Sequence, residues 1–154
     1  MTAEKNDSRT GLESIQSRIY KNDINCLEKK LAYWRFKSYR VVFIYGNYDV
    51  LDRKRIEYLS RVADFGDRLV IGLRSDDAAK RSGITELQND EYTRATLLAS
   101  LRFVSRVEII DDVSPFEFIK VLKPQVLVDS KIDAKQAACY EIIIANGGKI
   151  ELID

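Results

Sequence analysis

The sequence predicts an α/β domain built on a parallel, doubly wound, Rossmann-like sheet. Three observations carry that expectation. Short apolar runs rich in β-branched residues recur at residues 40–45, 68–73, 107–110, 126–128 and 149–153. Between them lie segments whose apolar residues repeat every three or four positions, the period of a helix. The runs are apolar throughout rather than alternating, as strands covered on both faces are. Right-handed crossovers then favour a five-stranded sheet in the order 3-2-1-4-5.

Each element has its own signal. Residues 1–11 are polar and end in Gly11, the composition of a frayed tail. Ile24, Leu27, Leu31 and Trp34 fall on one helical stripe, with Asp23 as N-cap and the basic residues Arg35, Lys37 and Arg40 at the far end. Residues 1–38 therefore read as a tail and helical extension, and 39–154 as the α/β domain. The first strand closes at Gly46, and a helix over 53–64 carries Ile56, Leu59, Val62 and Ala63 before Gly66 stops it. After the second strand come a short helix over 76–81, a polar loop to Asp90 and a helix over 91–101. Ser114-Pro115-Phe116-Glu117 reads as a capping box with Pro at the first helical position, opening a helix that ends at Leu122. A last helix over 134–145 is closed by Asn146-Gly147-Gly148.

Composition narrows the function. Lys plus Arg number 25 and Asp plus Glu 24, so no global field draws the chain to nucleic acid or an anionic membrane. No stretch approaches the ~20 apolar residues of a membrane span, and the N-terminus lacks the apolar core of a secretory signal. The expected compartment is the cytoplasm. Cys26 and Cys139 stand apart from any CxxC pattern and read as reduced thiols. The chain has no histidine, which removes the commonest general base and metal ligand together. In an open α/β sheet the ligand crevice lies at the carboxyl ends of the strands, which places it at Tyr45-Gly46-Asn47-Tyr48-Asp49.

Those residues carry a resemblance. The stretch from Ile44 to Leu59, together with Ser75-Asp76, Asn89-Asp90-Glu91-Tyr92-Thr93-Arg94 and Pro124-Gln125-Val126-Leu127-Val128, resembles the cytidylyltransferase-like nucleotidyltransferases. Its closest likeness is to the adenylyltransferase domain of ADP-heptose synthases, over roughly residues 12–154. That family reads G-x-F-D-x-x-H-x-G-H, in which two histidines and a glycine at a helix start receive the nucleotide's phosphates. The resemblance implies nucleotide-binding roles for Gly46, Tyr48, Asp49, Ser75, Asp76 and Arg94, and a homodimer.

The residues that would do chemistry depart from the pattern. Asp52 and Arg55 stand at the histidine positions and Lys54 at the glycine. Losing a positioned acid or oxyanion donor costs about 10²–10⁴ in rate. Arg74 replaces the family's asparagine before Ser75, Glu86 replaces a loop base, and Asp129 stands where the family has lysine. The family's C-terminal S-T-T/S-x-I-I motif does not occur in these residues. The expectation is a noncatalytic homologue that binds a protein partner or a small molecule, with no intact catalytic residue, no metal and no cofactor. The rival expectation is an active enzyme moving AMP or CMP from ATP or CTP, with Mg²⁺, to a sugar phosphate or alcohol phosphate. In that case the basic run Arg53-Lys54-Arg55 binds phosphate at a helix N-terminus. Asp49 and Asp76 are then the carboxylates available to the cation, although either also suits a turn or helix cap.

Overall fold

The computed structural model describes residues 10–154. The five expected strands are present: β2 (Val41–Gly46), β3 (Arg68–Arg74), β4 (Arg106–Ile110), β5 (Val126–Asp129) and β6 (Lys149–Leu152). They stand in the expected order, and a sixth strand, β1 (Ile19–Lys21), extends the sheet beside β4 to give β1-β4-β3-β2-β5-β6. All pairings are parallel, with Ile19 opposite Val107 and Val42 opposite both Leu69 and Val126. The extension is therefore not only helical. A strand of three residues, Ile-Tyr-Lys, is too short to show a period, so its pairing was not readable from sequence.

Helices α1 (Gly11–Gln16), α2 (Ile24–Phe36), α3 (Arg53–Ala63), α4 (Asp76–Arg81), α5 (Glu91–Ala99), α6 (Phe116–Leu122) and α7 (Ala137–Ala145) connect the strands. A short 3₁₀ turn, Ala134–Gln136, leads into α7. Alternation along the strands divides the core into two layers. Val42 and Ile44 pack with Leu59, Val62 and Leu98 of α3 and α5. Val41 and Phe43 face the other way, onto α2, α6 and α7 through Leu31, Trp34, Ile119 and Ile143.

Local chemistry explains the helix ends. Thr10 and Glu13 form a reciprocal capping box at α1, so the polar run expected as a tail ends in an ordered cap; residues 1–9 lie outside the described residues. Asp23 caps α2 by accepting from the Cys26 amide at 3.0 Å. Leu27, Leu31 and Trp34 are buried as the stripe requires, but Ile24, in the first turn, is 54% exposed. At α6 the expected capping box does not form. Ser114 Oγ accepts from the Phe116 amide at 3.3 Å, while the Glu117 carboxylate turns outward to Lys120 at 3.3 Å. Cys26 is half-buried and Cys139 buried, and both are free thiols. No helix among the described residues is long and apolar enough to cross a membrane.

Candidate functional site

The chain reverses direction across the sheet between β2 and β5, and the strands' carboxyl ends open there into a cleft of about 1140 Å³. Tyr45 and Tyr48 line it from β2 and the following loop, and Asp129 and Ser130 from the end of β5. Lys54 and Arg55 enter from the first turn of α3, Arg74 from the end of β3, and Tyr140 from α7.

The three degenerate motif positions all reach this cleft, each held for a local reason. Asp52 is extended and caps α3, its carboxylate accepting from the Arg55 amide at 2.9 Å. A helix N-terminus attracts an anion, and here the chain supplies one itself. The Arg55 guanidinium lies 5.9 Å from the centre of the Tyr48 ring. Arg53 turns aside to pair with Glu57 at 2.8 Å.

Of the six residues implicated by resemblance, only Tyr48 forms part of the cleft wall. Its backbone is left-handed, with φ 50°, and its ring folds back over Gly46. A Cβ on Gly46 would sit 3.1 Å from that ring, so the glycine makes room for the chain's own tyrosine. Burial pushes the Tyr48 hydroxyl pKa far above its ordinary value.

The other four are bound into the framework behind the cleft. Asp49 accepts from the Gln88 amide at 2.8 Å and the Asn89 amide at 2.9 Å, and these bonds, Gln88's foremost, hold its carboxyl below the usual range. Ser75 is fully buried and caps α4 through the Ala78 amide at 3.0 Å. Asp76 pairs with Arg94 at 2.9 Å, and its amide donates to Glu91 at 3.1 Å. Arg94, fully buried, also donates to the carbonyls of Asn47, Arg74 and Asn89 at 2.8, 2.9 and 3.1 Å.

Two further contacts shape the cleft. The Tyr140 hydroxyl donates to Asp129 at 2.8 Å while accepting from the Asp133 amide at 3.1 Å. Asp129 is further satisfied by the Ser130 amide at 2.8 Å. Arg74 Nε donates to the Tyr45 hydroxyl at 3.1 Å, with its guanidinium 4.8 Å from the Tyr45 ring centre. Arg74 and Asp129 showed in the sequence only as departures from a pattern. The Tyr140–Asp129 bond spans a loop and left no periodic signal. Glu86 is exposed and takes no part in the cleft wall.

Charge across the cleft is mixed. Lys54, Arg55, Arg61 and Arg74 are opposed by five acidic side chains, Asp52, Glu57, Asp129, Asp133 and Asp154. Asp49 and Asp76 are engaged as above, and no group of three His, Cys, Asp or Glu side chains converges among the described residues.

The chain is 37% identical over 130 residues to the bifunctional protein HldE of Rhodopseudomonas palustris (strain BisA53), covering 83% of this chain and 26% of that protein. It is 35% identical over 143 residues to HldE of Bradyrhizobium sp. (strain ORS 278), with 92% and 29% covered. Against HldE of Campylobacter jejuni subsp. doylei the identity is 34% over 148 residues, with 93% and 31% covered. The chain thus spans about a quarter to a third of the length of the curated relatives it matches. A crystal structure of the lipopolysaccharide core biosynthesis protein from Thermoplasma volcanium GSS1 shares the fold, with a TM-score of 0.60 and 24% identity, covering 74% of this chain and 93% of that one. No family model matches. The chain is a homologue of the HldE proteins and has a nucleotidyltransferase-like fold related to their adenylyltransferase domain.

Proposed function

We propose that this chain is a nucleotidyltransferase-fold binding module that holds a small molecule or a protein segment in the β2–β5 cleft without transferring a nucleotidyl group. The observation that carries this reading is the state of the α3 N-terminus. A triphosphate would be received there by helix amides and by donors at the motif positions. Asp52 instead places its own carboxylate on the Arg55 amide, at 2.9 Å. A polyphosphate arriving there meets a negative charge at short range, in a cleft where acidic side chains outnumber basic ones five to four. Lys54, at the position of the pattern's glycine, lines the same cleft.

A second reading, nucleotidyl transfer from ATP or CTP with Mg²⁺ to a sugar or alcohol phosphate, is favoured by the 34–37% identity to HldE proteins. Lys54, Arg55 and Arg74 would then contact the phosphates. A coupled pyrophosphate assay with ATP or CTP, Mg²⁺ and heptose 1-phosphate or glycerol 3-phosphate separates the two. The expected result is no release above background. Turnover of about one per second, an ordinary enzymatic rate, would establish the second reading in place of the first.

A further inference from the structure

A second cavity lies at the opposite end of the sheet, where β3 and β4 begin. It has a volume of about 370 Å³, within the size of small-ligand sites. The α1–β1 connection and α2 form its remaining walls through Arg18, Tyr20, Lys30 and Trp34. Its charge is one-sided. Arg18, Lys30, Arg68 and Arg106 all line it, and among the described residues no acidic side chain does.

These cations are largely uncompensated. Among the described residues Arg18 donates only to the neutral carbonyls of Ser14 and Val104, at 3.4 and 3.2 Å. Arg68 donates to its neighbour's carbonyl at 2.8 Å and lies over the Tyr39 ring at 4.1 Å. Lys30 is exposed and has no ion pair among the described residues. Arg106 is 1% exposed and does have a counter-charge, donating through Nε and Nη2 to Glu108 at 3.1 and 2.9 Å. Its Nη1 is buried with no hydrogen-bond partner, beside the Tyr20 ring that lies 3.6 Å from the guanidinium. Such unpaired buried donors are rare, and a charged one calls for an acceptor. Ser105 Oγ, on the same wall, accepts from the Leu69 amide at 3.3 Å and keeps its own proton to donate.

We infer that this cavity is a binding site for a small phosphate-bearing anion, separate from the switch-point cleft and formed jointly by the N-terminal segment and the amino ends of β3 and β4. Guanidinium groups suit phosphate oxygens through charge-assisted, forked hydrogen bonds. The one-sided charge selects an anion over the neutral or mixed ligands of the other cleft. Because Tyr20, Lys30 and Trp34 all belong to the N-terminal segment, an occupant would also tie that segment to the sheet.

The test is titration of the full chain with inorganic pyrophosphate and, separately, AMP at constant ionic strength, by calorimetry and amide NMR. Saturable binding of either, with amide shifts at Ser14, Ser17 and Ser105, is expected. Pyrophosphate alone would identify a free inorganic anion as the ligand type, and AMP alone a phosphorylated nucleoside. K30E and R68Q should each weaken binding at least tenfold, whereas the cleft variant K54E should leave it unchanged. Lys30 is exposed on α2, so K30E should melt like the parent without ligand. If neither probe binds, or if binding survives K30E and R68Q, or if the shifts map to Lys54 and Arg55, the inference fails.

Discussion

Arg94 provides the most direct test of how the loops behind the cleft are held. It is fully buried, and its guanidinium reaches three carbonyls on three separate segments: Asn47 after β2, Arg74 at the end of β3 and Asn89 before α5. The same group pairs with Asp76 at 2.9 Å. Arg94→Met keeps most of the side-chain volume and removes every donor. Breaking a buried ion pair from one side costs about 3–5 kcal/mol, because the remaining partners are left unsatisfied. Asp76 is 38% exposed and can recover water, which argues for the lower half of that range; the simultaneous loss of a donor to three carbonyls argues for the upper half.

At about 2–4 °C per kcal/mol for a domain of this size, the melting temperature should fall by roughly 6–20 °C. Differential scanning calorimetry on Arg94→Met and Arg94→Lys would measure it. Lysine keeps the charge near Asp76 but replaces a planar fork with a point donor, so it should recover less than half of the loss. A fall below about 2 °C for Arg94→Met would refute the reasoning, since it would mean that the carbonyls find other donors without cost.

Three further outcomes are expected. Deleting residues 1–38 removes Leu27, Leu31 and Trp34 from the core, each contributing about 1.5–3 kcal/mol, and strips β1 from β4; the truncated chain should be insoluble or melt far lower, and unchanged melting would instead mark the segment as a docking arm. Asp52→Ala should lower stability by about 0.5–2 kcal/mol in urea unfolding while Asp52→Asn holds it, because asparagine also caps; equal losses would mean that Asp52 is not acting as a cap. The carboxyl pKa values of Asp49 and Asp90 are lowered on folding, by the Gln88 and Thr93 amides foremost, so their stabilisation is present above the unfolded value of 3.8 and is lost as pH falls through the lower folded values. Melting temperatures recorded between pH 6 and 2 should therefore drop on the acid side, and the double variant Asp49→Asn, Asp90→Asn should flatten that drop; an unchanged profile would remove these two groups from the account.

The elements legible in the sequence are those whose signal is local or periodic. Five strands and their order followed from runs such as Val41–Gly46 and Arg68–Arg74, because burial on both faces demands uninterrupted apolar residues. The cap at Asp23 is legible from the same local chemistry, whereas Asp52 and Ser75, which also cap their helices, stand out in the sequence only through the resemblance. β1 was not legible, since it exists only through pairing with Val107–Ile109, far along the chain. In the site, the carboxyl-end rule for open sheets located the cleft, and the motif positions Asp52, Lys54 and Arg55 that the resemblance picks out do reach it. What each residue does there depends on partners distant in sequence. Tyr140 meets Asp129 across a loop, and Asp49 meets Gln88 and Asn89 about forty positions on.

The two cavities sharpen what the charge balance of the whole chain conceals. A near-zero total, 25 basic against 24 acidic residues, predicts no long-range field, yet it says nothing about distribution. At the carboxyl end of the sheet, where this fold ordinarily places phosphates, the opposing charges nearly cancel and the helix N-terminus is capped from within. At the amino end, four cations line a smaller cavity with no acid in its walls among the described residues. Screening by salt distinguishes a direct contact from a long-range field. Charge-reversal at Lys54 and at Lys30 therefore has different diagnostic value at high salt. Long-range influence should fade as salt rises, whereas loss of a direct contact should persist. An anion whose affinity responds to K30E in 0.5 M salt as strongly, in fold terms, as in 0.05 M salt is touching the amino-end cavity itself, and one whose response vanishes is only sensing its field.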